Sequence, residues 1–265
     1  MPEDISLEQI GHVALITINR PDVMNSLDFA ANDLLVAKWQ EFAREPELRV
    51  AVITGSGSQA FCAGADLKTY TMNYATTPAP EFHAKYTQGP GFGGITRNLH
   101  IAKPIIAAVN GFAISGGFEL ALACDIRFCS EHAAFGFQDV NWGFHPCDGG
   151  LIRLREIVGT GNAMEMILSG DRFDATHALR IGLVNRIYPQ ESVLDETLAY
   201  AARLASRAPL AQQRAKDVMV RAQGMSLDEA LRLESTSFHG LGQTADLQEG
   251  TTAFREKRPA KFRGR

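Results

Sequence analysis

This sequence has no Cys-x-x-Cys pair: its cysteines, Cys62, Cys124, Cys129 and Cys147, stand apart from one another. Zinc-ribbon and thioredoxin-like chemistry have no motif to work with, and no metal ligand set is predicted. Cys62, Cys124 and Cys129 sit in segments that read as buried or tightly turned. That suits a reducing compartment better than a disulfide framework, so a cytoplasmic location is expected. No apolar run is long enough to cross a bilayer, and no membrane partner is expected. The opening MPEDISLEQI has neither the basic nor the apolar region of a signal peptide. Positive charge is not in excess. Lys and Arg number 26 against 30 Asp and Glu, a net charge of −4, and the pI is 6.0. Nothing in that balance draws the chain to nucleic acid. Internal repeats and low-complexity tracts are absent.

What the sequence does have is apolar material. Of 265 residues, 45% are hydrophobic, enough for one large domain or a domain with an appendage. His12–Asn19 (HVALITIN) reads as a β-branched strand ended by Arg20-Pro21. Ser26 or Asp28 is placed to cap a helix from Phe29 to Arg44. Arg49–Thr54, Ile105–Val109 and Ile126–Cys129 read as further strands, and Leu194–Ala208 as an amphipathic helix. The charged tail is helical in pattern, with Ser226 as a cap. Strands alternating with helices predict an α/β fold with parallel pairing. Residues 70–94 break the pattern. Their Thr76-Thr77-Pro78-Ala79-Pro80 and Gly89-Pro90-Gly91-Phe92-Gly93-Gly94 predict a mobile loop, of a kind able to cover a site. A phosphate-binding glycine loop is not predicted there, because Pro90 interrupts it and no buried strand precedes it.

Two stretches share one design. Phe61-Cys62-Ala63-Gly64-Ala65-Asp66-Leu67 follows a strand and its turn, and so does Ser115-Gly116-Gly117. Each puts small residues where a helix begins. Helix starts expose N–H groups without internal partners, and their dipole favours negative charge. Two such groups aimed at one point form an oxyanion hole; close packing of loop on sheet is the plain alternative. Glu119 lies one turn beyond the second stretch, in an almost wholly apolar run that ends at Cys124. Burial there raises a carboxyl pKa towards working pH, as acid–base chemistry requires.

Together the two stretches resemble the crotonase superfamily, which includes enoyl-CoA hydratases and isomerases. The likeness begins at Asn19-Arg20-Pro21 with Asn25-Ser26-Leu27. It runs through AGADL (63–67), NGFAISGGFELALACD (110–125) and FGFQDVNWG (135–143) to IGLVNRI (181–187) and EGTTAFREKRPAKF (249–262). The resemblance implies a spiral of βαβ turns over residues 1–195 and a C-terminal helical trimerisation region over 196–265. It also implies a homo-oligomer, a hexamer built as a dimer of trimers. By the same resemblance, the N–H groups of Ala65 and Gly116 form the oxyanion hole for a thioester, and Glu119 and Asp139 form the acid pair. Ala63, Asp66, Leu67, Gly117 and Trp142 are substrate-binding positions. Phe254 and Lys257 match tail positions that contact coenzyme A, often across a subunit boundary. The substrate is an acyl-CoA, with coenzyme A present only as part of it and no other cofactor.

The sequence departs from the family pattern in places. Asp139 stands where hydratases usually carry glutamate. It is one methylene shorter, about 1.5 Å of reach. Cys147 replaces a usual glycine, with His145 beside it; both are expected to line the pocket. Ser115 replaces a frequent glycine and brings a hydroxyl near the oxyanion. Val23 takes a position that is often basic. Phe82, Tyr86, Phe92 and Trp142 are either acyl lining or core. The expected activity is hydration of a 2-enoyl-CoA. Δ3,Δ2-enoyl-CoA isomerisation, or another crotonase-type acyl-CoA reaction, is the alternative. A non-catalytic crotonase-like binding protein is the competing class; the acid pair and the lack of basic excess argue against it.

Overall fold

The computed structural model describes residues 3–265; the first two residues of the MPEDISLEQI stretch lie outside them. The chain opens with a hairpin, β1 (Ile5–Ile10) and β2 (Val13–Ile18), paired antiparallel. Helix α1 (Phe29–Arg44) starts where Asp28 caps it, the carboxylate accepting from Ala31 N–H. The next turns of chain each give one strand to a large sheet and one to a small sheet. They are β3 (Val50–Gly55) and β4 (Ala60–Cys62), then β5 (Ile105–Val109) and β6 (Phe112–Ile114), then β7 (Ile126–Ser130) and β8 (Ala134–Gly136). Helices α2 (Leu67–Thr76) and α3 (Ala79–Gln88) fill the first interval, and α4 (Gly116–Ala123) the second. Then come α5 (Gly150–Val158), α6 (Thr160–Ser169), β9 (Phe173–Asp174), α7 (Ala175–Arg180) and β10 (Arg186–Tyr188). The large sheet has the order β1-β2-β3-β5-β7-β10 and the small one β4-β6-β8-β9. Pairing is parallel except for β1 with β2 and β9 with β8. This is the spiral of βαβ turns.

Both faces of the large sheet are covered, so its inner strands read as continuous apolar runs. Alternate residues point to opposite faces. Ala51 and Ile53 of β3, with Ile105, Ala107 and Val109 of β5, join the central core under α1 and α4. Val50, Val52, Ile106 and Ala108 face the other way, against Ala201 and Ala205 of α8 (Val193–Ala205). A boundary between 195 and 196 falls within α8. Three more helices complete the chain: α9 (Pro209–Arg221), α10 (Leu227–Leu241) and α11 (Ala245–Glu256). Ser226 caps α10 in a full capping box with Glu229.

Residues 70–94 are not a loop. Asp66 caps α2 by accepting from Lys68 N–H, and Pro80 sits in the first turn of α3, where the missing N–H costs no helix bond. Tyr70 and Tyr74, like Phe82 and Tyr86, fall one helical turn apart, and their rings pack together. The glycine stretch that follows is pinned: Gly93 N–H donates to Asn32 and its carbonyl accepts from Trp39 Nε1. Gly94, at φ +80°, lies where a Cβ would meet Trp39 at 2.9 Å and Val36 at 3.1 Å. The β1 strand was also not evident, because only Ile5 of its six residues is buried.

Asn25 fixes the 19–27 segment against the first strand turn. It is fully buried with φ 55°. Its Oδ1 accepts from Arg20 N–H at 2.9 Å, and its Nδ2 donates to the carbonyls of Ser56 and Ala60 at 3.0 and 2.7 Å. Leu27 then pairs with the 64–66 backbone, its N–H donating to Gly64 and its carbonyl accepting from Asp66. Asn25→Ala takes a partner from the buried Ala60 carbonyl and from the half-buried Ser56 carbonyl and Arg20 N–H, at a left-handed position. It is expected to cost at least about 1–3 kcal/mol, read as a lower urea midpoint; an unchanged midpoint contradicts this role.

Candidate active site

The two glycine-rich stretches meet. A Cβ on Gly64 would lie 3.1 Å from Gly116 N, and one on Gly117 would collide with the Cys62 carbonyl. Only residues without side chains permit this approach. Among the described residues, neither Ala65 N–H nor Gly116 N–H donates to a backbone carbonyl. Gly116 is the first residue of α4, so its N–H is one of the helix's free donors. Ser115 precedes it at φ 51°, ψ −120°, a backbone state that side chains strongly disfavour. Its amide is anchored to Gly136 at the end of β8.

Glu119 lies one turn into α4 and is 3% exposed. Its Oε1 accepts from Asp148 N–H at 2.7 Å and Gly150 N–H at 2.8 Å. Burial pushes the carboxyl up to about 8, the charge of Asp148 adds to the rise, and the two amide donors oppose it. A group so placed holds its proton near neutral pH and can give it up.

Asp139 sits in a short 3-10 turn, Gln138–Trp142, and is 4% exposed. Its Oδ2 is buried without a hydrogen-bond partner among the described residues. Burial raises its pKa; the Ser115 side chain works against the rise, as His145 does more weakly. The Ser115 side chain thus acts on Asp139. The charge of Asp139 is felt at Glu119. Two buried carboxyls therefore stand near two unpaired N–H groups.

Other sequence-derived positions spread outward. Ala63 and Asp66 are half-buried and Leu67 is exposed at the start of α2. Trp142 is 69% exposed, so it is not core. Phe254, 85% exposed, and exposed Lys257 close α11. Lys257 takes a left-handed turn, after which Arg258 forms a two-bond pair with Glu249. That pair folds the tail back and gives the EKR pattern a structural role. Cys62, Cys124 and Cys129 are buried, and all four thiols are free. Burial, then the charges of Asp148 and Glu119, raise the half-buried Cys147 thiol, so it stays a neutral group near Glu119. The exposed His145 turns Nδ1 to its own Pro146 carbonyl.

Phe92 packs against Gly116, where a Cβ would meet the ring at 2.8 Å. With Phe29, Tyr70, Tyr86 and Asp148, Phe92 borders a cavity of about 480 Å³. Nothing in the sequence pattern assigns Asp148 a role, since it follows the more conspicuous Cys147. The available signal was a lone acid before a glycine pair in Pro146-Cys147-Asp148-Gly149-Gly150.

A family model described as enoyl-CoA hydratase/isomerase matches residues 8–265. The chain is 36% identical over 260 residues to (E)-benzylidenesuccinyl-CoA hydratase of Thauera aromatica, covering 98% of this chain and 99% of that one. It is 37% identical over 269 residues to carnitinyl-CoA dehydratase of Salmonella arizonae, covering 100% of each. Among solved structures, enoyl-CoA hydratase EchA1 from Mycobacterium marinum superposes with a TM-score of 0.90 at 34% identity, over 99% of both chains. Enoyl-CoA hydratase from Bacillus anthracis gives 0.89 at 32% identity, over 99% of this chain and 100% of that one. By the family model, the full-length relatives and the shared fold, the chain belongs to the enoyl-CoA hydratase/isomerase family of the crotonase superfamily.

Proposed function

We propose that this protein is a lyase that adds water to a 2-enoyl-CoA thioester. The observation that carries the reading is Glu119: a buried carboxyl one helical turn from the free Gly116 N–H, with one oxygen fixed by two amides. The thioester oxygen is taken up by the N–H groups of Ala65 and Gly116. Water's oxygen bonds to the β-carbon while the acid pair takes one of its protons. The π electrons move onto the thioester oxygen, giving an enolate that the two donors stabilise. The α-carbon then takes a proton from the pair, the carbonyl re-forms, and a 3-hydroxyacyl-CoA leaves. Glu119 and Asp139 share the water and the proton, so the pair must hold one proton and one charge. Coenzyme A enters as part of the substrate. Ala63, Asp66, Leu67, Gly117 and Trp142 border its path, and Phe254 and Lys257 serve it across a subunit boundary.

The named relatives act on acyl groups as different as benzylidenesuccinyl and carnitinyl, and the aromatic cavity beside Phe92 accommodates a bulky acyl group. A panel of enoyl-CoA thioesters with mass-spectrometric product detection tests this. A hydrated product for at least one member is expected, and none across the panel contradicts the reading. One observation favours isomerisation: Asp139 is the shorter acid, and its Oδ2 has no hydrogen-bond partner among the described residues. In that case a 3-enoyl-CoA is converted to its 2-enoyl isomer through Glu119 alone.

No helix among the described residues is long and apolar enough to cross a membrane, and a cytoplasmic location is proposed. Assembly as a dimer of trimers is proposed too. Phe238 and Phe254, 76% and 85% exposed, flank an apolar cleft of about 880 Å³ between α9, α10 and α11. Light scattering at micromolar concentration is expected to give a trimer or hexamer; monomer alone contradicts the assembly.

A further inference from the structure

Asp148 is a buried acid that the proposed reaction leaves without a task. It is 3% exposed. Its Oδ1 accepts from Phe92 N–H at 3.1 Å, Thr96 Oγ1 at 3.1 Å and Arg97 Nε at 3.2 Å. Its own N–H donates to Glu119. Arg153 bonds the Asp148 carbonyl at 3.0 Å and the Thr96 carbonyl at 2.7 Å. Arg97 also donates to the Cys147 carbonyl. One residue is therefore bonded to Glu119 on one side and to the 92–97 segment, which packs Phe92 against Gly116, on the other.

We propose, resting on the hydratase reading above, that Asp148 is a positioning residue for the acid pair. Its amide fixes Glu119, its carboxylate locks the 92–97 segment to the same peptide, and its charge stands beside the pair. A buried amide pair alone would fix Glu119 but would favour the ionised form, because N–H donors stabilise a carboxylate. Burial opposes that preference most strongly, and a second carboxylate beside them adds to the opposition, since two like charges at close range disfavour each other.

The other charged and titratable groups around Glu119 are few. Asp139 acts on it directly and is itself influenced by His145. Cys147 and Arg153 interact with Glu119 from the 146–153 side. Arg97 bears on it through Asp148. Cys62 on β4 stays neutral, its thiol pushed up to about 12 by burial. Arg153 and Arg97 favour the charged form of Glu119, and Asp139 works with Asp148 against it.

Two variants with opposite expected signs test this. Asp148→Asn keeps the shape and an Oδ1 acceptor for Phe92, Thr96 and Arg97 but removes the charge. Arg97→Gln removes the cation that partly offsets that charge. The pair can supply no proton once both acids are ionised, so hydration falls on the alkaline side. Asp148→Asn is expected to move that alkaline limb of kcat/KM to lower pH by about one unit, and Arg97→Gln to move it higher. The infrared carbonyl band of protonated Glu119, identified by its loss in Glu119→Gln, should titrate with the same opposite shifts. Limbs and bands that stay put, or that move the same way in both variants, overturn the proposal. If the parent protein hydrates nothing, the hydratase reading fails, and the infrared titration still decides the role of Asp148.

Discussion

Glu119→Gln is expected to slow hydration of the 2-enoyl-CoA that the parent turns over by about 10²–10⁴, the usual contribution of a positioned acid–base group. The substitution is close to isosteric, and its amide oxygen still accepts from the Asp148 and Gly150 N–H groups. Unfolding is not the expected cause. Burial pushes the native carboxyl up to about 8 from its ordinary 4.5. A carboxyl raised in this way gives stability that is present below its unfolded pKa and lost as pH rises through the folded one. Removing the ionisation should leave the variant at least as stable as the parent, with the difference growing between those limits. A fall in activity with an unchanged or higher thermal midpoint is the predicted pair of results; full activity would remove Glu119 from the chemistry. Asp139→Asn should lose activity over the same range if both acids handle the water. Asp139→Glu is informative because a misplacement of about 1 Å costs roughly 10²-fold. Its Oδ2 has no partner to surrender. A rise would mean that the shorter side chain under-reaches, and a fall would mean that the backbone has already compensated. If Asp139→Asn hydrates as fast as the parent, the two-acid mechanism is wrong and isomerisation through Glu119 leads.

Gly116→Pro is expected to lower kcat by about 10²–10³, the loss that follows removal of one oxyanion donor. Proline deletes the N–H itself and is tolerated at the first residue of a helix, which is where Gly116 stands. Any Cβ at this position also meets the Phe92 ring, at 2.8–3.1 Å. Gly116→Ala is therefore the control for the Cβ: it meets the same ring and keeps the donor. The proline variant should fall well below the alanine variant at equal circular dichroism. Equal turnover in the two, both folded, would take Gly116 N–H out of the oxyanion hole.

The inner strands and α1 were legible in the sequence because their burial is two-sided or strictly periodic. Val50–Gly55 has no exposed residue, and Asp28 caps α1 at the residue before Phe29. The acids and the glycine stretches were legible through their resemblance to a family, and Glu119 also through its apolar surroundings. What stayed hidden depended on distant partners. The helices over 67–88 carry proline and threonine at their junction, and pairing of aromatic rings outweighs those local signals. The β1 strand mixes polar and apolar residues, buries only Ile5 fully, and is held largely by its ladder to β2. Asp148 acquires a role only when the chain folds its amide onto Glu119, a contact across 29 residues of sequence.

The most direct measurement of the central claim mixes a 2-enoyl-CoA with the purified protein. The conjugated thioester absorbance is followed while the product mass is read. Hydration predicts loss of that absorbance together with a product heavier by one water, at a rate that collapses in Glu119→Gln. An enoyl-CoA that stays unchanged, or a product of the same mass with its double bond moved, would contradict it.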